Sequence, residues 1–287
     1  MVFHSINILL ISGLIAAIIL IKKIMPDLIF PKCIRLHTVD DFSEIWIFDQ
    51  NNVRYLVMGS LNADHQSAVF LSDLFRIVFI YQKMIVTASF LLPSPPERIC
   101  IVGFGAGTLT THLRRLYPKA KILSIDCNPR MRDYAEKYFS FQSDDRMDFL
   151  ITDGFDFFKK TDRNISFDLI VIDAFNKSSV PPHFLSADFT NAIKNHLSPD
   201  GIVCVNSFHY STFAEREKLL YKNTFANVYI CEPFNITEGN RLIVATQQPA
   251  QLERMKNNAK QYRSTLDLMN VDWEYQWERL WSTWLDC

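Results

Sequence analysis

RICIVGFGAGTLT, residues 98–110, joins an apolar run to a cluster of glycines and then to a helix-like pattern. The chain has only eight glycines, and Gly103, Gly105 and Gly107 all fall within this stretch. Glycine is needed where the backbone takes positive φ or comes close to a ligand, and a strand-to-helix turn directs N–H groups into the adjoining crevice. The stretch therefore predicts a strand, a ligand-binding loop and a helix. A tight turn without a ligand is the alternative.

The spacing of the glycines bears on the class of ligand. A dinucleotide fingerprint, GxGxxG, needs glycine or alanine at position 108, where this chain has Thr108. The observed GxGxG pattern therefore favours a mononucleoside over a dinucleotide.

The rest of the chain is organised around this loop. After it, strand-like and helix-like runs alternate as far as RLIVAT (241–246), which predicts an α/β fold with a mostly parallel sheet and helices on both faces. Before it, EIWIF (44–48) and VRYLVM (53–58) predict a β-hairpin. A helix is predicted over 68–92, and the proline-rich PSPP at 93–96 ends it.

Aspartates follow three of the predicted strands. KILSID ends at Asp126, MDFLIT is followed by Asp153 and Gly154, and FDLIVID ends at Asp173. Open α/β sheets bind ligands at the carboxyl ends of their strands, so these residues are candidate contacts. Asp126 could accept hydrogen bonds from both ribose hydroxyls and Asp153 one from an adenine amino group, although each could instead cap the following helix.

Asp173 is the candidate general base. It follows four apolar residues and precedes Ala174 and Phe175, so its carboxylate is expected to be partly desolvated. Desolvation raises a carboxyl pKa toward the range that suits a base near neutral pH. A loop-capping aspartate is the alternative.

Composition excludes several classes of protein. The chain has 30 Lys plus Arg and 31 Asp plus Glu among 287 residues, so its formal net charge is −1. Because this charge gives no overall positive field that would attract nucleic acid, no nucleic-acid partner is expected. The six cysteines lie far apart without CxxC or Cys/His spacing, and no histidine has ligand spacing. We predict reduced cysteines and no metal site.

The N-terminal residues carry one membrane-segment candidate. Residues 6–21, INILLISGLIAAIILI, are uncharged, and Lys22 and Lys23 follow them, while no Lys or Arg precedes them. Counted from Val2 to Ile21, the run has roughly the 20 residues that a single spanning helix needs, and the positive-inside rule places the remainder of the chain on the cytoplasmic side. A buried or interfacial amphipathic helix is the alternative.

These patterns divide the chain into five parts. They are a transmembrane anchor at 1–25, a small N-terminal β-domain at 26–66, a connecting helix at 67–96, a nucleoside-binding catalytic domain at 97–248 and a C-terminal helical segment at 249–287.

The region from Tyr55 to Thr246 resembles the spermidine synthase family, aminopropyltransferases with a Rossmann-type, class I methyltransferase-like domain. The likeness rests on motifs that keep their order and spacing: RYLVMG with Gln66 after it, YQKMI, PPERICIVGFGAGTL, SIDCNP, TDGFDFF and VIDAF.

The resemblance implies that the co-substrate is decarboxylated S-adenosylmethionine, or S-adenosylmethionine in a methyltransferase. It implies that Gln66 and Asp126 hold the ribose, that Asp153 holds the adenine, that Tyr81 lines the acceptor site and that Asp173 deprotonates a small-molecule amine.

Three departures from the family pattern concern the cationic groups of the substrates. The glycine loop has Ala106 where the family has an acid, and Lys83 replaces the glutamate that follows the motif tyrosine. The loop after Asp173 carries Asn176 and Lys177 in place of a second acid motif. Removing one member of a buried charged pair costs about 2 to 5 kcal/mol, so an ordinary putrescine site is not expected.

Three function classes follow: an aminopropyltransferase with an unusual amine acceptor, a methyltransferase that uses S-adenosylmethionine, and a nucleoside-binding protein without turnover.

The C-terminal residues carry a separate pattern: four of the five tryptophans, Trp273, Trp277, Trp281 and Trp284, have helical spacing and would share one helix face. That face could pack on its own domain, or form a homodimer contact or a membrane-interface helix.

Overall fold

The computed structural model describes residues 31–162, 164–175, 180–232 and 239–276. The predicted transmembrane anchor at 1–25 and the tryptophans at 277, 281 and 284 lie outside these ranges. Within the described residues no helix combines the length and the apolar character that a membrane span requires.

The described residues form two sheets and the helices that cover the larger one. The strands are β1 (Cys33–Val39), β2 (Glu44–Gln50), β3 (Val53–Met58), β4 (His65–Phe70), β5 (Arg98–Val102), β6 (Lys121–Asp126), β7 (Met147–Ile151), β8 (Phe167–Ile172), β9 (Leu197–Phe208), β10 (Asn227–Cys231) and β11 (Asn240–Thr246). The α-helices are α1 (Ile80–Ala88), α2 (Thr108–Leu116), α3 (Met131–Tyr138), α4 (Gly154–Lys160), α5 (Ala187–Asn195), α6 (Ala214–Thr224), α7 (Leu252–Gln261) and α8 (Arg263–Leu268).

The first sheet is an antiparallel meander in the order β1-β2-β3-β4. Its β2–β3 connection confirms the predicted hairpin: Asn51 and Asn52 take φ of 50° and 61°, as a two-residue turn of matching twist requires. This small sheet packs on the larger domain, since Arg54 donates a 2.7 Å hydrogen bond to the carbonyl of Tyr138.

The second sheet has seven strands in the order β10-β11-β9-β8-β5-β6-β7. Strands β7, β6, β5, β8 and β9 pair in parallel, and β11 and β10 join antiparallel at one edge. The predicted Rossmann-type, mostly parallel fold is confirmed. The chain leaves β5 toward β6 on one side and later returns to β8 on the other, so the ligand crevice of such a sheet is expected at the β5–β8 boundary.

The helix predicted over 68–92 is wrong in its first half. Residues 65–70 form β4, which pairs with β3, and the helix begins only at Ile80. A short apolar run such as Ala68 to Phe70 fits a strand or a helix equally well, and pairing with the open edge of β3 decides between them. The predicted boundary between 66 and 67 therefore falls inside β4.

Two apolar clusters cover the faces of the larger sheet. One includes residues of α1, α2, α7 and α8, and Trp273 packs partly buried against it. The other includes residues of α5 and α6. Cys100, Cys204 and Cys231 are buried free thiols in these clusters, as predicted.

Candidate active site

A cavity of about 560 Å³ opens at the carboxyl ends of the parallel strands, at the β5–β8 boundary. Its size suits a nucleoside with a small side chain. Residues from the ends of β5, β6, β7, β8 and β9 line it, together with residues of the small sheet and α1. The predicted site residues that line it are Gln66, Tyr81, Gly103, Gly105, Asp126, Asp153, Gly154 and Asp173.

Gly103 directly follows β5 and lies against Asp173, which directly follows β8. Its φ is +96°, and a Cβ there would lie 2.0 Å from the carbonyl oxygen of Asp173. Gly105, at φ +53°, leaves the same kind of room for Ser67, whose Oγ would be 2.8 Å from an added Cβ. The glycines therefore let the loop pass between the end of β8 and the small sheet.

Gly107 has a different function from its neighbours. It does not line the cavity; it caps α2 with φ +70°, and a Cβ would meet the rings of Phe104 and Phe141. The assignment of Gly107 to the binding site therefore stays a prediction, and its observed contacts are with the helix start and the two rings. Its glycine is required by conformation and packing.

Asp126 holds the glycine loop in place. Its Oδ2 accepts hydrogen bonds from the amides of Phe104 (3.0 Å) and Gly105 (3.2 Å), and its Oδ1 accepts one from Asn128 (3.0 Å). Burial raises the pKa of Asp126, and these backbone donors oppose that rise. The amide of Cys127 is a fourth backbone donor, so a ribose hydroxyl would share a carboxylate oxygen with these amides.

Asp153 caps α4, the alternative that the sequence had left open. Its Oδ1 accepts from the amides of Phe155 (2.8 Å) and Asp156 (3.3 Å). Its Oδ2 lies 3.0 Å from His183 Nε2, and His183 also lines the cavity. Position 154 requires glycine, because an added Cβ would lie 2.4 Å from the side chain of Val102. Capping and adenine binding are compatible, because the carboxylate borders the cavity.

Asp173 is at the centre of a chain of side-chain hydrogen bonds. Tyr81 donates to Oδ2 (3.1 Å) and Asn206 donates to Oδ1 (2.7 Å). Burial raises the pKa of Asp173 to about 6, while both donors lower it. Burial raises the pKa of Tyr81 well above its ordinary value, so Tyr81 keeps its proton and remains a donor. The predicted direction of the Asp173 shift agrees with this geometry.

Side chains from distant parts of the sequence extend this series of hydrogen bonds. Gln82 donates to the Tyr81 hydroxyl (3.3 Å) and to Thr108 (3.1 Å), and Asn240 donates to Asn206 Oδ1 (2.9 Å). Sequence reasoning missed all three amides. The detectable signal was Asn206 directly after the apolar GIVCV run of β9, because a buried polar residue needs a partner.

The charge of the cavity is negative. Its described lining contains Asp64, Asp126, Asp153 and Asp173 and contains no lysine or arginine. Lys83, which replaces the glutamate of the family motif, does not line it. Among the described residues, no group of three or more His, Cys, Asp or Glu side chains could hold a metal ion.

The other departures are now located as well. Ala106 is 1% exposed and belongs to an apolar cluster, and its amide donates to Ser67 Oγ at 2.9 Å. Residues 176–179, which include Asn176 and Lys177, lie outside the described residues.

Comparisons with known proteins identify the family of this chain. Residues 78–234 match the model of the spermine/spermidine synthase domain. The polyamine aminopropyltransferase of Vibrio vulnificus is 30% identical over 204 residues, which are 69% of this chain and 67% of that protein.

The chain is also similar to a methyltransferase in sequence and to a spermidine synthase in structure. The eEF1A lysine and N-terminal methyltransferase of Bos taurus is 30% identical over 125 residues, 40% of this chain but only 18% of that protein. A crystal structure of spermidine synthase with the transition-state analogue AdoDATO superposes with a TM-score of 0.62 at 18% identity, and covers 77% of this chain and 76% of that one. At that identity the likeness concerns the fold alone.

The relatives are transferases of the S-adenosylmethionine-related kind, and the family match includes α1, the glycine loop and the ends of β6, β7 and β8. The chain belongs to the spermine/spermidine synthase family.

Proposed function

We propose that this protein transfers an aminopropyl group from decarboxylated S-adenosylmethionine to an amine acceptor, with Asp173 as the base. The observation that carries the proposal is the hydrogen-bonded pair of Asp173 and Tyr81 inside an acidic cavity. A carboxylate with a pKa of about 6 is a stronger base than an ordinary aspartate and is still ionised at neutral pH.

The glycine loop favours a donor without a carboxylate. The amides of residues 103–107 all donate to acceptors within the chain: Ile125 O, Asp126 Oδ2 twice, Ser67 Oγ and Phe104 O. A bound carboxylate needs a cation or N–H donors, and the described lining offers no lysine or arginine. S-adenosylmethionine has such a carboxylate and its decarboxylated form does not.

The proposed step is a single displacement. The acceptor nitrogen forms a bond to the propyl carbon beside the sulfonium, the carbon–sulfur bond breaks, and its electron pair stays on sulfur as methylthioadenosine forms. The proton that the amine loses goes to Asp173. Tyr81 and Asn206 hold the carboxylate toward the cavity, so the main contribution of the protein is positioning and proton acceptance.

The test compares the two donors on the full chain. With decarboxylated S-adenosylmethionine and a panel of amines we expect methylthioadenosine, measured by chromatography. Asp173→Asn should lower its rate of formation by about 10²- to 10⁴-fold while methylthioadenosine affinity stays within a few-fold, as removal of a general base predicts. Asp188→Asn, at an exposed position of α5, is the matched control and should change neither quantity.

Methyl transfer from S-adenosylmethionine is the second candidate, favoured by the methyltransferase similarity over 125 residues. Formation of S-adenosylhomocysteine from S-adenosylmethionine, without methylthioadenosine from the other donor, would establish it and contradict aminopropyl transfer. Nucleoside binding with neither product would indicate a protein without turnover.

A further inference from the structure

The turn between β1 and β2, residues 40–43, brings an aromatic side chain of the small sheet to the cavity. Phe42 and Ser43 both line the cavity, although they lie far in sequence from the glycine loop. The side chain of Phe42 is 52% exposed. A large apolar side chain that lines a cavity and stays half exposed has apolar area that a ligand can cover.

Hydrogen bonds to one carboxylate fix the conformation of this turn. Asp40 Oδ1 accepts from the amides of Phe42 (2.9 Å) and Ser43 (2.8 Å), and the amide of Asp40 donates to the carbonyl of Ser43 (3.0 Å). Such side-chain contacts to the following amides are how aspartate stabilises turns. The backbone that carries the Phe42 ring is therefore held by polar contacts, since packing does not bury the ring.

The same carboxylate joins the turn to the strand end that carries Asp126. Asp40 Oδ2 accepts a 3.1 Å hydrogen bond from Nδ2 of Asn128, a residue that is 1% exposed. Asn128 is itself held in orientation, because its Oδ1 accepts from the amide of Arg130 (2.9 Å) and its amide donates to Asp126 Oδ1 (3.0 Å). Two side chains thus connect Phe42 to Asp126, so the turn lies beside the Asp126 end of the cavity.

We propose that Phe42 is a nucleoside-binding residue, and that Asp40 and Asn128 are positioning residues that hold its ring against the nucleoside at Asp126. This inference rests on the proposed function and deepens it, because that nucleoside is part of the donor. The ring covers apolar atoms of the nucleoside and excludes water from them. Methylthioadenosine and S-adenosylhomocysteine share the nucleoside, so the contact does not depend on which group is transferred.

The experiment measures binding of methylthioadenosine and of S-adenosylhomocysteine to the full chain by isothermal titration calorimetry, so it does not require turnover. Phe42→Ala should weaken binding of both by about 5- to 30-fold, as expected when burial of one aromatic ring is lost. Phe213→Ala is the matched control, because this ring is also exposed but does not line the cavity. It should leave both dissociation constants unchanged.

A double-mutant cycle tests whether Asp40 acts through Phe42. Asp40→Asn keeps an oxygen for the turn amides but presents an N–H group to Asn128, so the link between the two side chains is lost. Alone it should weaken binding by about three- to tenfold. In the Phe42→Ala background it should add less than about twofold, because the ring that it positions is gone.

Exchanging the two positioning side chains is the rescue experiment. Asp40→Asn combined with Asn128→Asp reverses donor and acceptor, so the hydrogen bond between them can form again. This double variant should recover most of the affinity that Asp40→Asn loses. A double variant that binds no better than Asp40→Asn would overturn the positioning role.

Arg54→Met controls for a merely structural role of the turn. It removes another contact between the small sheet and the larger domain, the hydrogen bond to the carbonyl of Tyr138, and Arg54 does not line the cavity. It should lower the free energy of unfolding and leave both dissociation constants unchanged.

The outcomes separate this inference from the proposed function. Wild-type affinity in Phe42→Ala overturns the inference, and full additivity in the cycle overturns the positioning role of Asp40. The expected affinity losses without aminopropyl transfer to any amine would contradict the proposed function and leave the inference standing. Absence of binding of either nucleoside to the wild-type protein contradicts both.

Discussion

The cavity has two halves, named for the roles proposed above: a donor half at the glycine loop and the ends of β6 and β7, and an acceptor half at the ends of β8 and β9 and the start of β11. The two halves are built in different ways. In the donor half, backbone amides hold the carboxylates: Asp126 accepts hydrogen bonds from the glycine loop, and Asp153 accepts one from the first turn of α4. In the acceptor half, side chains hold one another, as Asn240, Asn206, Asp173 and Tyr81 do. The donor half is therefore determined by local chain conformation, and the acceptor half by packing between distant strands.

The largest expected effect concerns Gly103, where the two halves meet. Gly103→Ala would place a Cβ 2.0 Å from the carbonyl oxygen of Asp173 at φ +96°. We expect the free energy of unfolding to fall by about 2 to 5 kcal/mol, from left-handed strain and overpacking together. Denaturant unfolding curves measure it.

Gly59→Ala is the matched control for this prediction. Gly59 has nearly the same φ, +90°, but an added Cβ would meet nothing within 4 Å. It should therefore cost only the conformational strain, about 1 to 2 kcal/mol. Equal losses in the two variants would contradict the prediction, because contact with the carbonyl group of Asp173 would then add no cost.

A smaller effect is expected in the donor half alone. Asp126→Asn removes the charge that we expect to accept hydrogen bonds from the ribose, and should weaken methylthioadenosine binding by about 10- to 100-fold, as for hydrogen bonds to charged groups. Isothermal titration calorimetry measures the dissociation constant. Asp148→Asn, at an exposed position on the edge strand β7, should leave it unchanged. If both variants bind alike, the carboxylate serves only to hold the glycine loop.

The same contrast explains what the sequence could predict. The sequence identified Gly103, Gly105 and the aspartates at the ends of β6, β7 and β8, because positive-φ turns and strand ends leave local sequence patterns. Asn206 and Asn240 were missed because their meaning depends on β9 and β11 being neighbours, a pairing of residues 34 positions apart. The start of α1 was misplaced for the same reason, since pairing of β4 with β3 overrides a local helix pattern.

The smallest expected effect lies in the acceptor half, at Asn206. Asp173 must be ionised to accept a proton, and its pKa is about 6, so kcat should fall as pH decreases through that value. The hydrogen bond from Asn206 stabilises the ionised form, so Asn206→Ala should raise the pKa and move the midpoint of the kcat profile to higher pH.

The shift should be modest because Tyr81 still donates to the other oxygen of Asp173. Asn240→Ala, which reaches Asp173 only through Asn206, should move the midpoint less. A lower kcat with an unmoved midpoint in Asn206→Ala would mean that Asn206 supports the strand and does not tune the base. An equal shift in both variants would mean that the two amides act on Asp173 as one unit.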